Sequence, residues 1–340
     1  MAVTGDGGAP DAGAAGAGAN AGAGSGSGDD EMTRFVTEAL VSVESEPAPP
    51  RLRGRVLEAA LARRPAGRPA PGADGEPLSP VESYRRTVAE LGELLDGLDA
   101  AAWSAEVAPY APQGWTVQGL VGHLLAVERL LAARLGVGDV PAGADDDHIT
   151  MSLDVAAAQV GRAPEETLSD WRAAVHVVLD ALAASPPELG ERVPFHGVEF
   201  RWWSLLVART LEVWTHADDI RRAAGQPPAT PDAERLSLLT DLAVRTLPLR
   251  LATTGTYTGT VRMVLTGPGG GAWSQPLAVG STSASPSPEP GEPDVRLVAD
   301  AVAFCRLTAG RIDAAELEAT ITGDTALGAA ILASSAAFAL

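Results

Sequence analysis

The sequence has 340 residues, which suggests two domains with additional tails, and its formal net charge at pH 7 is −19. A surface this acidic repels nucleic-acid phosphates and anionic lipid headgroups, so the sequence predicts neither a nucleic-acid nor a membrane partner. The single cysteine, Cys305, excludes an intramolecular disulfide and a cysteine-based zinc finger. Because the chain shows neither a basic-then-apolar leader nor an apolar run of membrane-spanning length, we expect a cytoplasmic protein.

The N-terminal part has the composition of tails and linkers. Residues 1–30 are mostly Gly, Ala, Ser and Asp, which cannot bury enough apolar surface to offset chain entropy, so they are predicted to be disordered. Residues 31–64 contain two weakly helical stretches separated by prolines and are predicted to form a small helical arm. Residues 65–78 are rich in Pro and Gly and are predicted to be a linker.

Residues 79–226 carry the spacing of a helical bundle. Ser79, Pro80 and Glu82 supply the capping signature of a first helix, and Thr116 is placed to cap a second. Apolar residues recur at helical spacing in the stretches that follow these caps. The predicted long helices span about 79–98, 117–135, 164–184 and 201–224, with a shorter helical stretch after 147 and an extended one at 193–200.

Residues 227–340 change in pattern and predict a smaller α+β domain. A helix at about 232–247 is followed by predicted strands at about 256–265, 272–279 and 295–298. Asp300 and Asp324 are placed as N-caps of two further helices. The predicted fold class is therefore mainly α with an α+β part.

Four polar residues share one face of the helix predicted at 201–224. They are Arg209, Glu212, His216 and Asp219. Because they are three or four positions apart, they lie on the same side of a helix. Apolar residues flank this face, so it points into the bundle, where a buried carboxylate and imidazole must both be satisfied. A metal ion satisfies them, since both groups are metal ligands.

His123 is the third candidate ligand. It lies three residues after Leu120 and four before Val127, so it also faces the bundle interior. Two histidines and one glutamate resemble the ligand set of catalytic zinc sites, which keep a position open for water or substrate. The spacing fits two plainer interpretations equally: a hydrogen-bonded core histidine at 123, and a simple buried pair of Glu212 and His216.

The remaining reactive residue types have ordinary explanations. His148 follows an acidic run in a loop, His176 lies on a helix with few polar neighbours, and His196 precedes a glycine in a turn. Cys305 beside Phe304 is typical of a small core residue. The glycines at 267–271 lack the frame of a phosphate-binding loop and predict a hairpin turn.

Two motifs resemble the mycothiol-dependent maleylpyruvate isomerase family. One is Gly-Trp-Thr-Val at 114–117 followed by His123; the other is Arg-Thr-Leu-Glu-Val-Trp-Thr-His-Ala-Asp-Asp-Ile at 209–220. More loosely, Asp300, Gly310-Arg311 and Gly323-Asp324 are similar to the family's C-terminal domain. The resemblance implies a DinB-like four-helix bundle at 79–226 and a sterol-carrier-like α+β domain at 227–340.

The resemblance also implies a chemistry. His123, Glu212 and His216 would bind a divalent metal, usually taken as zinc, Asp219 would orient a ligand, and Arg209 would balance buried carboxylate charge or bind a substrate carboxylate. Metal coordination would turn the cosubstrate mycothiol into a thiolate near neutral pH. In an isomerase the thiolate adds to a cis double bond of a small electrophile, allows rotation and leaves; in an S-transferase it stays attached.

Composition and the N-terminal arm bear on this interpretation. All 25 basic residues are arginine, a pattern of G+C-rich coding sequences that agrees with a mycothiol-producing host. The arm at 31–64 resembles segments of anti-sigma regulators, although the Cys and His ligands of their zinc module are missing, so the arm is a candidate protein-binding segment. The alternative function is therefore a non-catalytic metal-binding or regulatory protein that keeps the bundle.

Overall fold

The structure is a computed structural model that describes residues 78–112, 114–144, 148–254, 257–277 and 293–336. All of them lie in one compact unit, Arg53–Leu340. The disordered tail predicted at 1–30, the arm predicted at 31–64 and nearly all of the linker predicted at 65–78 lie outside the described residues.

The first half of the described chain is a helical bundle, as its apolar spacing predicts. Four long helices form it, with two shorter helices and one β-hairpin attached. In chain order these elements are α1 (Pro80–Asp96), α2 (Ala100–Trp103), α3 (Val117–Arg134), α4 (His148–Ala157), α5 (Pro164–Ala184), β1 (Arg192–Phe195), β2 (Val198–Arg201) and α6 (Trp202–Ala223).

The predicted capping residues start these helices. The Ser79 side chain accepts a hydrogen bond of 3.1 Å from the backbone N–H of Glu82, and Pro80 occupies the first turn of α1. The Thr116 hydroxyl caps α3 through the N–H of Gly119 at 3.3 Å. The extended stretch predicted at 193–200 is an antiparallel hairpin that turns at residues 196–197.

The bundle core is built from apolar residues of the long helices. Leu91 of α1, Leu124 of α3, Trp171 of α5 and Leu206 of α6 are at most 1% exposed and belong to one continuous cluster. Burial of this kind contributes roughly 1.5–3 kcal/mol per large side chain relative to its exposure. The cluster therefore fixes the inner faces of α3 and α6, which carry the candidate ligands.

The second half is an α+β region with four strands, β3 (Thr260–Thr266), β4 (Gly271–Pro276), β5 (Val295–Asp300) and β6 (Ala319–Gly323). They form one sheet in the order β4-β3-β5-β6. Strand β3 pairs antiparallel with β4 and parallel with β5, and β5 pairs antiparallel with β6. Three helices cover one face of this sheet through a shared apolar cluster. These helices are α7 (Ala233–Thr254), α8 (Ala301–Thr308) and α9 (Thr325–Ala333).

Two elements of this region differ from the sequence-based expectation. Helix α7 continues through Pro248 to Thr254, whereas a proline usually ends a helix. Leu247 and Leu251, on either side of that proline, are buried in the sheet cluster, so packing outweighs the lost backbone hydrogen bond. Strand β6 is unpredicted, because it is a half-exposed edge strand with little apolar patterning.

The α+β region packs directly on the bundle. A third apolar cluster joins α6 to α7 and α8. Two ion pairs flank it: Arg306 with Asp218 at 3.1 Å, and Arg235 with Glu90 at 2.5 Å. Among the helices that the structure describes, none has the length and apolar character needed to cross a membrane.

Candidate metal centre

The structure brings the three predicted ligands together. His123 comes from α3, while Glu212 and His216 lie one turn apart on α6, and one ligand atom of each lies within 4.8 Å of the other two. The two imidazole rings meet edge to face with centroids 5.3 Å apart. Both histidines are at most 1% exposed, whereas the Glu212 side chain is 18% exposed. Solvent therefore reaches the cluster at the glutamate.

His216 presents an unpaired nitrogen to this space. Its Nδ1 lies 3.2 Å from Asp219 Oδ2, and its Nε2 is buried without a hydrogen-bond partner among the described residues. Burial lowers the pKa of His216 to about 4, although the Asp219 carboxylate raises it, so the ring is neutral at pH 7. With the proton on Nδ1, facing the carboxylate, the lone pair of Nε2 is available. A buried polar atom left unpaired costs about 1–3 kcal/mol, and a metal ion would remove that cost.

His123 is oriented by a hydroxyl on α4. Its Nδ1 lies 2.8 Å from Ser152 Oγ, and Ser152 donates its own hydrogen to the carbonyl of Ile149 at 3.0 Å. The ring therefore donates at Nδ1, and its Nε2 faces Glu212 Oε1 at 3.2 Å. Two lone pairs at this distance repel unless a proton or a metal ion lies between them. The unpaired Nε2 of His216 beside this pair favours the metal.

Glu212 is held by a buried chain of charged and polar groups. Arg209 forms an ion pair with Glu212 Oε2 and donates to Glu128 Oε1 at 2.7 Å, and the Tyr84 hydroxyl donates to Glu128 Oε2. Burial by itself would raise the pKa of Glu212, but the Arg209 guanidinium holds that pKa well below its usual value. Glu212 is therefore ionised, with Oε1 directed at the cluster.

The α+β region reaches the site through one arginine. Arg311, between α8 and β6, donates to Asp219 Oδ2 at 2.6 Å and to Oδ1 at 3.2 Å, and its guanidinium lies 5.3 Å from the ring centre of Tyr110. Burial raises the pKa of Asp219, but His216 and Arg311 lower it below its usual value overall. The ionised Asp219 thus connects the α+β region to the imidazole of His216.

These residues fit a divalent metal ion. Two imidazoles and one carboxylate are ligands found in catalytic zinc sites, and three protein ligands leave a position open. Each ligand has its own buried partner that directs its lone pair to the common space. The partner is Ser152 for His123, Arg209 for Glu212 and Asp219 for His216.

Sequence reasoning assigned no role at the site to four residues that support the ligands. Ser152, Glu128, Tyr84 and Arg311 contact ligands or their partners from other elements of the fold. The signal available for Glu128 was a charged residue within an otherwise apolar helix, and for Arg311 its place beside Gly310 in a family-like motif.

His176, His196 and Cys305 are not part of the metal cluster, and the side chain of His148 lies outside what the structure describes. His176 is exposed, and His196 occupies the hairpin turn with a φ of 51°. Cys305 is fully buried, and burial raises the pKa of its thiol to about 12, so it is a core residue as predicted. The glycines at 267–271 form the turn between β3 and β4.

The segment that carries this site is similar to a known domain family. Residues 84–221 match the mycothiol maleylpyruvate isomerase N-terminal domain. Two uncharacterized proteins of Mycobacterium tuberculosis, from strains CDC 1551 / Oshkosh and ATCC 25618 / H37Rv, are each 28% identical over 170 residues. That alignment covers 49% of this chain and 63% of each relative, so this chain spans less than two thirds of their length.

Two solved structures are also similar. Crystal structures of the mycothiol-dependent maleylpyruvate isomerase and of a histidine-to-alanine mutant of it align with 71% of this chain and 91% of theirs. The sequence identity is 16% and the TM-score is 0.45. The family match contains His123, Glu212 and His216, with their partners on α3, α4 and α6. Residues 84–221 of this chain are therefore similar to the mycothiol maleylpyruvate isomerase N-terminal domain.

Proposed function

We propose that this protein is a mycothiol-dependent metalloenzyme in which His123, Glu212 and His216 hold one divalent ion, zinc by preference. The observation that carries the proposal is the buried Nε2 of His216, which has no hydrogen-bond partner within the described part of the chain and lies close to an imidazole and a carboxylate. A chain that left these three groups without a cation would bear the cost of an unsatisfied buried nitrogen. The match of residues 84–221 to the mycothiol maleylpyruvate isomerase N-terminal domain supports the same assignment.

The chemistry follows from the charge and geometry of the cluster. When bound, a divalent ion lowers the pKa of a thiol and so supplies a thiolate near neutral pH. The chain's own residues keep the His216 imidazole neutral, keep Glu212 ionised and direct all three ligands at one point. Glu212 lies on the side of the cluster that solvent reaches, so the thiol and the electrophile would enter there.

We propose that the reaction joins this thiolate to a small electrophile. In isomerisation, a sulfur–carbon bond forms as the π electrons of a conjugated cis double bond move to the neighbouring carbonyl. Rotation about the resulting single bond and loss of the same thiolate restore the double bond in the trans form. In conjugation, the carbon takes up a proton and the sulfur–carbon bond remains. Maleylpyruvate is the first candidate substrate, because the domain that residues 84–221 match is named for maleylpyruvate isomerase.

The proposal is tested by turnover of the zinc-loaded full chain. Maleylpyruvate and a panel of small electrophiles should be consumed in the presence of mycothiol and not in its absence, and the His216→Ala variant should be inactive. The His176→Ala variant, which removes an exposed histidine outside the cluster, serves as the matched control and should retain activity. A protein that binds zinc but consumes no electrophile with mycothiol would contradict the enzymatic proposal and favour the non-catalytic alternative.

A further inference from the structure

We propose that Ser152 is a positioning residue for the metal ligand His123, and that Gly122 allows α4 to lie close enough to α3 for this contact. The proposal rests on the proposed function and adds a residue to its site. Ser152 is fully buried, and it comes from an element that carries none of the three ligands. Its role follows from the direction of two hydrogen bonds.

The Ser152 hydroxyl determines which nitrogen of His123 carries the proton. The hydroxyl has one hydrogen, which it donates to the carbonyl of Ile149 at 3.0 Å. Its oxygen can therefore only accept at the 2.8 Å contact with His123 Nδ1, so the ring must donate there. A neutral imidazole has one N–H group, and Nε2 is left with its lone pair facing the cluster.

The other tautomer would close the site. With the proton on Nε2, His123 would donate to Glu212 Oε1 across the present 3.2 Å, a normal hydrogen-bond distance. That bond would occupy the ligand atoms of both residues and satisfy them without a metal ion. Ser152 thus selects the open form over a self-satisfied pair.

Close packing at Gly122 keeps the hydroxyl within reach. A Cβ atom added to Gly122 would lie 2.7 Å from Gln159 Cγ, 2.9 Å from Ala156 Cα and 3.2 Å from the carbonyl oxygen of Val155. Two of these atoms belong to the α4 backbone, so α4 would have to move away from α3. Because Gly122 immediately precedes His123, the movement would lengthen the contact between Ser152 and the ring.

The first experiment compares Ser152→Ala with Ser335→Ala in the full-length protein. Ser335 is also buried and also donates to a helix carbonyl, that of Ile331 at 2.7 Å, but it lies in the α+β region just after α9. Zinc affinity is measured by competition with a chromophoric chelator, and the His123 tautomer of the metal-free protein by ¹⁵N NMR. Ser152→Ala should weaken zinc binding by about 10–100-fold and move the proton towards Nε2. Ser335→Ala should change neither quantity.

The second experiment changes the packing and leaves the hydroxyl in place. Gly122→Ala should weaken zinc binding and shift the tautomer in the same direction as Ser152→Ala. Gly119→Ala is the matched control on the same helix, because its added Cβ would have no neighbour closer than 3.9 Å. It should leave zinc affinity and tautomer unchanged, and melting curves confirm that each variant is folded.

The readouts separate this proposal from the proposed function. A wild-type protein that fails to bind zinc would overturn the proposed metalloenzyme, and the tautomer of the metal-free protein would still decide the role of Ser152. If folded Ser152→Ala keeps the proton on Nδ1 and keeps wild-type zinc affinity, the positioning role of Ser152 is overturned while the metal site stands.

Discussion

The buried imidazole of His216 should make the metal-free protein sensitive to mild acid. The pKa of His216 is about 4 in the folded chain, mainly because burial opposes its charge, against an ordinary value of 6.5. As the pH falls, the unfolded chain therefore takes up this proton first. The contribution of the neutral ring to stability is complete above about pH 6.5 and is lost as the pH falls towards 4. From the difference between the two pKa values, the free energy of unfolding should be lower at about pH 5 than at neutral pH by roughly 2 kcal/mol.

Urea unfolding of the chelator-treated protein measures this loss. The wild type is compared at neutral pH and at about pH 5 with His216→Asn, whose amide can still donate to Asp219 but does not titrate. The wild type should lose roughly 2 kcal/mol more than the variant over this interval. His176→Asn, at an exposed position, should behave like the wild type. Equal pH dependence in the wild type and His216→Asn would refute the argument that this ring is held neutral by burial.

Three further substitutions test the groups around the ligands. Glu212→Gln removes the carboxylate from the proposed ligand set, so zinc affinity measured by chelator competition should fall by at least about 10–100-fold. The melting curve of the metal-free variant should stay close to that of the wild type. Unchanged zinc affinity would exclude Glu212 as a ligand. Arg209→Met leaves the carboxylates of Glu128 and Glu212 without their cation and should lower the free energy of unfolding by about 3–5 kcal/mol. Adding Glu128→Gln removes one of the two uncompensated charges, so the double variant should regain part of this stability. An additive double variant would show that the two residues are not coupled. Arg311→Gln removes the two hydrogen bonds from the guanidinium to Asp219 and should weaken zinc binding by about 10-fold or more. If the variant binds zinc with wild-type affinity, the α+β region does not influence the site.

Local sequence signals account for the bundle and for the inward direction of the three ligands. Ser79 and Thr116 are short-range caps whose effect depends on a few neighbouring residues, so the starts of α1 and α3 were predictable. Glu212 and His216 share a helical face through their spacing alone, and His123 lies on the apolar stripe of α3. Spacing cannot show that two helix faces meet, so the proximity of His123 to the other two ligands came from the resemblance.

The supporting residues could not be predicted because their role depends on tertiary contacts. Ser152 and Arg311 reach the site from α4 and from the loop after α8, and no periodic pattern connects them to the ligands. Glu128 is separated from Arg209 by 81 positions in the chain. Helix α7 passes through Pro248 for a similar reason, since burial of Leu251 against the sheet outweighs a local signal to stop. The likeness of the α+β region to a sterol-carrier domain and the domain boundary after residue 226 stay predictions.

The metal content of the purified full chain tests the central claim most directly. After zinc loading and dialysis, elemental analysis should find about one zinc ion per chain in the wild type, as expected for a single catalytic-type site. His123→Ala and His216→Ala should each lose the ion, whereas His176→Ala should retain it, because His176 is exposed and outside the cluster. Retention of zinc at the wild-type level in both His123→Ala and His216→Ala would contradict the metal centre proposed at His123, Glu212 and His216.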